Sequence, residues 1–244
     1  MQMQRTISFF LTGWLLLAAG TALAQSALQQ AEESYRQGKF SNALGIYEEE
    51  LKNRPNDPFL YYNIGNCYFK MGSKGLAAAN YYRAFKLAPR DADIRHNLSL
   101  ALAAGGEKLV PAGMPGALHK AFFALSYEEL KGLFFLLLWL CCTLGSVWLV
   151  KRKFGRVLAL FVVTFVLCGG WMWWRHTLET EPLAVVAAPS AEIRSGPGTN
   201  FPASASAAQG HLLLVLDEKD SWFEVIVKSQ GLKGWVEKSA IERI

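Results

Sequence analysis

Two sets of side chains could make contact chemistry with another molecule. Tyr35, Arg36, Tyr62, Asn66, Phe69, Lys70 and His96 mix aromatic rings with basic groups in the N-terminal part of the chain. That mixture suits an extended peptide or a short acidic tail, because rings cover apolar side chains while cations pair with carboxylates. Near the C-terminus, Asn200, Phe201, Trp222 and Trp235 could form an aromatic wall for a peptide strand or a glycan-linked peptide. Reaction chemistry is not indicated. His96, His119, His176 and His211 lie in different segments, none forms a metal-ligand pair at helical spacing, and there is neither a phosphate loop nor a nucleophile elbow. No enzyme activity, cofactor or metal is expected. Cys141, Cys142 and Cys168 fall inside apolar runs and Cys67 stands alone, which argues for packing residues and not for a disulfide framework or a zinc site.

The positive charge is concentrated in one place. The 244-residue chain carries a formal charge of +5 and is 52% apolar, and Lys151, Arg152, Lys153 and Arg156 sit together between two long apolar runs. Elsewhere acids and bases nearly balance, so the excess reads as a membrane-topology signal and not as a nucleic-acid surface. The first run, 132–150, is free of charge and about long enough to cross a bilayer at 1.5 Å per residue; the second, 157–174, is also uncharged. The basic turn 151–156 belongs in the cytoplasm by the positive-inside rule, and Trp171, Trp173 and Trp174 make an aromatic belt at the far interface. At the N-terminus, Arg5, the apolar run from Ile7 to Leu17 and the small residues of Ala22-Leu23-Ala24 read as a secretory signal over 1–24; left uncleaved, it would serve as an anchor. Both signals put the regions on either side of the hairpin outside the cytoplasm.

The elements that must position the first residue set repeat with a fixed period. Gly38 and Gly72, Ala43 and Ala77, Tyr47 and Tyr81, Pro55 and Pro89 are each separated by 34 residues. Tyr61-Tyr62-Asn63-Ile64-Gly65-Asn66-Cys67-Tyr68, followed by Gly72, Ala77, Tyr81, Ala84 and Pro89, closely resembles the tetratricopeptide consensus. The resemblance implies two helix pairs, 25–57 and 58–91, closed by a capping helix over 92–104. It also implies that the first helix of each pair lines a concave groove, which assigns Tyr35, Arg36, Tyr62, Asn66, Phe69, Lys70 and His96 to it. Asn66 and Asn97 match two positions of the carboxylate clamp of some family members, whereas Tyr62 stands where the partnering lysine would be. Pro111, Gly113, Pro115 and Gly116 mark residues 105–131 as a linker with a short interfacial piece, and Ser126 with Glu129 fits a capping box.

After Leu183 the periodicity becomes that of short strands separated by turns. Arg194-Ser195-Gly196-Pro197-Gly198-Thr199-Asn200-Phe201-Pro202, then Asp220-Ser221-Trp222-Phe223-Glu224-Val225 and Gly234-Trp235-Val236, closely resembles the bacterial SH3 (SH3b) family. The resemblance implies a small β-barrel over 183–244. In such a barrel Trp222 and Trp235 either fill the interior, which is the favoured expectation, or line a groove with Asn200 and Phe201.

The whole order is similar to the BatE-like proteins of Bat aerotolerance operons. It comprises a signal segment, a tetratricopeptide α-solenoid, a two-helix transmembrane hairpin and a small SH3-like β-barrel. This multidomain membrane architecture implies a scaffold in the bacterial inner membrane, with both modules on the periplasmic side. It would work beside membrane proteins carrying von Willebrand factor A domains and a MoxR-type ATPase. The other expectation is a sensor or anchor that binds peptidoglycan through the SH3b module.

Overall fold

The structure, a computed structural model, describes residues 26–110, 113–152 and 154–244. The expected signal segment and Lys153 lie outside these residues. Five helices form the N-terminal stack: α1 (26–36), α2 (Phe40–Asn53), α3 (Pro58–Lys70), α4 (Lys74–Leu87) and α5 (Ala92–Ala103). Gly38 and Gly72 take φ of +76° and +84° at equivalent turns, a region open to glycine and strained for other residues. Asp57 caps α3 by accepting from the Phe59 amide, and Asp91 caps α5 by accepting from the amides of Asp93 and Ile94. A Cβ on Gly65 would come within 2.6 Å of the Tyr81 ring, so the close approach of α3 to α4 depends on that missing carbon. Ala43, Tyr47, Leu60, Ile64 and Cys67 pack as one buried group, and Ala77, Tyr81, Ala84, Phe85, Leu98 and Leu102 as the next.

The stretch 113–131, expected as linker and interfacial segment, carries helical structure. It contains α6 (Gly116–Phe122) and the first turn of α7 (Tyr127–Lys151), where Ser126 and Glu129 form a reciprocal capping box. Ser126→Ala removes the acceptor for the Glu129 amide and should cost about 1 kcal/mol, measurable as a lowered midpoint in thermal unfolding. The apolar runs 132–150 and 157–174 lie inside the longer helices α7 and α8 (Gly155–Glu179). These are antiparallel: Tyr127 Oη meets His176 Nδ1 at 3.2 Å at one end, and Phe134 stacks on Phe165 with centroids 4.7 Å apart further along. At the other end Arg152 and Phe154 make the tight turn in the left-handed region, with φ of 51° and 67°. Both helices are long and apolar enough to cross a membrane.

The C-terminal module is an antiparallel sheet of seven strands: β1 (Leu183–Val186), β2 (Ser190–Arg194), β3 (Ala203–Ala208), β4 (Leu212–Lys219), β5 (Trp222–Val227), β6 (Leu232–Glu237) and β7 (Ile241–Arg243). Its order is β3-β2-β6-β5-β4-β1-β7, so β3 and β7 are hydrogen-bonded on one side each and the sheet is not closed. Ile193, Leu213, Phe223, Val225, Val227 and Val236 bury one face. Trp222 and Trp235 do not fill this interior. The pairings Trp222 with Glu237 and Trp235 with Glu224 put both rings on the opposite, half-exposed face, because side chains alternate along each strand and the core takes Phe223, Val225 and Val236.

The helical stack and the sheet are docked directly on each other. Val185 of β1 is buried among the side chains of α4 and α5. Gly75 of α4 lies so close to the backbone of Val186 and Ala187, and Gly105 so close to that of Gly210, that neither position has room for a Cβ. The rim of this interface is ionic: the Arg83 guanidinium meets Glu242 at 2.6 Å and also donates to the Arg243 carbonyl. Lys86 of α4 lies 3.6 Å from Glu179 at the end of α8, and Arg90 pairs with Glu129 at the start of α7. Stack, sheet and the open end of the helix hairpin therefore meet in one place.

Candidate functional site

The concave side of the stack holds a cleft of about 260 Å³ lined by Tyr35, Tyr62, Asn66, Phe69, Lys70, Tyr81, Asn97 and Leu100. Helices α1, α3 and α5 present these groups, and Tyr81 reaches through from α4 where Gly65 leaves space. Five of the seven residues expected on the groove come together here. Arg36 does not line it; its guanidinium turns to Glu32 and Glu33 on the exposed side of α1. His96 is exposed, one residue from Asn97, which takes the inward position on α5. Tyr81 and Leu100 line the cleft without having been assigned to it. On the capping helix Leu98 and Leu102 are buried, while Leu100 is left exposed at the rim.

A hydrogen-bond network makes the floor. Tyr81 donates its hydroxyl proton to Asn66 Oδ1 at 2.7 Å. Asn97 Nδ2 donates to the same oxygen and to the Tyr62 hydroxyl, both at 3.1 Å. Burial pushes the Tyr81 phenol well above the ordinary range, so it remains a donor near neutral pH. Lys70 is the one charged group among the lining residues. Cys67, in the core behind the cleft, has its thiol pushed up to about 11 by burial and then by Glu48, which leaves it protonated and unreactive near pH 7.

The second set is less convergent. The Arg194 guanidinium donates to the carbonyls of Thr199 and Phe201 and so folds the 195–202 loop back on β2. Phe201 packs over Gly196, whose Cβ would meet the ring at 2.5 Å, and remains partly exposed. Trp235 pairs with Arg194 across β2 and β6, on the same outward face as Trp222. No ring contact joins Phe201 to either tryptophan among the described residues. Nor is any group of three His, Cys, Asp or Glu side chains placed to hold a metal ion among them.

A polar cluster that the sequence did not single out lies where α6 meets the stack and α8. Arg175 is fully buried; it donates to the carbonyls of Leu125 at 3.1 Å and Phe122 at 3.4 Å, pairs with Glu179 at 2.9 Å and lies 4.5 Å from the Phe123 ring centroid. Next to it, His119 is buried against Phe85 and Phe123, with Nδ1 facing an Arg95 Nη2 donor at 3.3 Å. Burial and then the Arg95 charge lower the His119 pKa. The unfolded chain therefore takes up this proton first as pH falls through about 6.5, so the contribution of neutral His119 is complete above that value and is lost below it. An unfolding midpoint that declines from pH 7 towards pH 5, with a shallower decline in His119→Phe, is the expected result.

No family model matches the chain. Over 61 residues, 25% of its length, the chain is 33% identical to tetratricopeptide repeat protein 16 of Homo sapiens and, equally, of Macaca fascicularis. The helical stack is tetratricopeptide-like. The matched stretch spans only 7% of each of those relatives. Among solved structures, the TPR2B domain of yeast Sti1 in its pHsp70 complex is 25% identical, with a TM-score of 0.32 over 33% of this chain and 65% of that domain. The first TPR domain of human RPAP3 is 14% identical, with a TM-score of 0.31 over 63% of this chain and 95% of that one.

Proposed function

We propose that the protein is a non-catalytic, membrane-anchored scaffold that binds an extended segment of a partner protein in the α1–α3–α5 cleft. The carrying observation is the cleft itself: aromatic walls, a polar floor and a single cation at Lys70 are what a peptide requires. Anchoring through α7 and α8 is supported by the side chains these helices leave uncovered. Trp139 is 62%, Val150 81% and Trp173 72% exposed, in two helices where a water-soluble fold would bury such a surface. The basic turn at Lys151, Arg152, Lys153 and Arg156 favours a cytoplasmic hairpin tip, with stack and sheet together on the periplasmic side of the bacterial inner membrane. The module order supports work in a Bat-type stress-tolerance complex, beside von Willebrand factor A and MoxR-type partners, and the motif spacing after Leu183 supports an SH3b module. Tyr62→Ala and Lys70→Ala should each abolish co-purification of membrane partners from solubilised membranes; partners retained by both variants would refute the reading.

The outward tryptophans favour a second reading, in which the sheet anchors the protein to peptidoglycan. Full-length protein that sediments with purified sacculi, and loses this with Phe201→Ala, would support that reading.

A further inference from the structure

We infer that the cleft reads an internal, acidic, extended segment of its partner and not a free carboxy terminus; this deepens the scaffold reading and rests on it. A terminal carboxylate needs several donors converging on its oxygens. The two asparagines that match clamp positions have spent all but one of theirs: both protons of Asn97 Nδ2 go to Tyr62 Oη and Asn66 Oδ1. Asn66 Oδ1 accepts from Asn97 and Tyr81, and Asn66 Nδ2 turns one proton towards Asn63 Oδ1 at 3.4 Å.

The groups left over on the floor are of mixed sign. Asn97 Oδ1 accepts no hydrogen bond among the described residues, and the Tyr62 hydroxyl, which accepts from Asn97, retains its own proton to donate. An acceptor beside a donor matches the N–H and C=O of a peptide group, whereas the bare Asn97 oxygen would repel a carboxylate placed against it. Lys70, exposed at the end of α3, makes no ion pair among the described residues, so it is available to an Asp or Glu side chain of the ligand. Tyr35, Phe69 and Leu100 supply apolar contact in the same cleft. The donor that a clamp would place at residue 62 is a lysine ammonium; here a phenol occupies the position and its oxygen is tied to Asn97.

The test uses the full chain in nanodiscs and two random dodecapeptide libraries. One is displayed between flanking protein sequence, the other with a free carboxy end. Enriched sequences are then synthesised in carboxylate and amide forms and titrated. The internal library should enrich acidic segments, the two synthetic forms should bind within about twofold of each other, and Lys70→Gln should weaken both about tenfold. Asn97→Leu should also weaken both; Lys70→Gln, an exposed substitution, keeps the test decisive should Asn97→Leu fail to fold. A carboxylate form at least tenfold tighter than its amide would overturn the inference while leaving peptide binding intact. Failure of both libraries to enrich anything over Tyr62→Ala would refute the scaffold reading and the inference with it.

Discussion

Gly75→Val is expected to part the sheet from the helical stack while leaving each hydrophobic core intact. A side chain at this position would have to occupy the place of the Val186 carbonyl, and backbone on both sides cannot yield as a flexible side-chain end could. The strand beside it is pinned by Val186, whose amide donates to the His211 carbonyl and whose carbonyl accepts from Gly210. Relief therefore has to come from opening the interface, with Val185 and the Arg83–Glu242 pair exposed to water. Hydrogen exchange should show lost protection in β1 and α4 with protection retained in β5, and unfolding should split into two transitions. Gly45, exposed within α2 with nothing near its would-be Cβ, is the control; Gly45→Ala should raise stability by about 0.5–1 kcal/mol through helix propensity alone. A single transition in Gly75→Val at the midpoint of the unaltered protein would count against the docked arrangement.

Arg175→Met should cost about 3–5 kcal/mol, the range for removing one member of a buried ion pair. The guanidinium satisfies the carbonyls of Phe122 and Leu125 and the Glu179 carboxylate from one buried point, so its removal takes this donor from all three. Lys86, 3.6 Å from Glu179, offsets part of the loss. Arg175→Lys should recover little, since an ammonium cannot aim donors along these divergent directions as a planar fork does. Adding Glu179→Gln to Arg175→Met should restore part of the stability, because the uncompensated carboxylate goes with it. Thermal unfolding of the three variants in nanodiscs measures this; a cost below about 0.5 kcal/mol for Arg175→Met would show that the cluster does not hold α8 to α6.

The repeat was legible because its residues do one job each at a fixed spacing. Gly38 and Gly72 open turns, Gly65 makes room for Tyr81, and Tyr47 and Tyr81 fill equivalent holes. Five groove residues followed from that register. Arg36 and His96 failed because one residue is about 100° of helix rotation: His96 faces out where Asn97 faces in. Strand β3 left no trace in the pattern, since Ala203 to Ala208 alternates only Ala and Ser, which differ little in polarity and have low strand preference. The two tryptophans were read by size, and size favoured the interior; the alternation set by Phe223, Val225 and Val236 turned them outward. The contact between stack and sheet was invisible for another reason. Gly75 and Gly105 look like ordinary helix and turn glycines until a distant backbone is found against them. The Arg175 cluster escaped because an arginine just beyond an apolar run is usually a solvated end, and only the folding of α6 over it buries this one.

Accessibility of single cysteines in spheroplasts tests most directly the claim that stack and sheet share one side of a twice-crossed membrane. With the natural cysteines replaced, Ser41→Cys on α2, Ser206→Cys on β3 and Phe154→Cys at the hairpin turn occupy exposed positions. A membrane-impermeant maleimide should label the first two in intact spheroplasts and the third only after permeabilisation. Labelling of Ser41→Cys and Ser206→Cys from opposite sides would contradict the account.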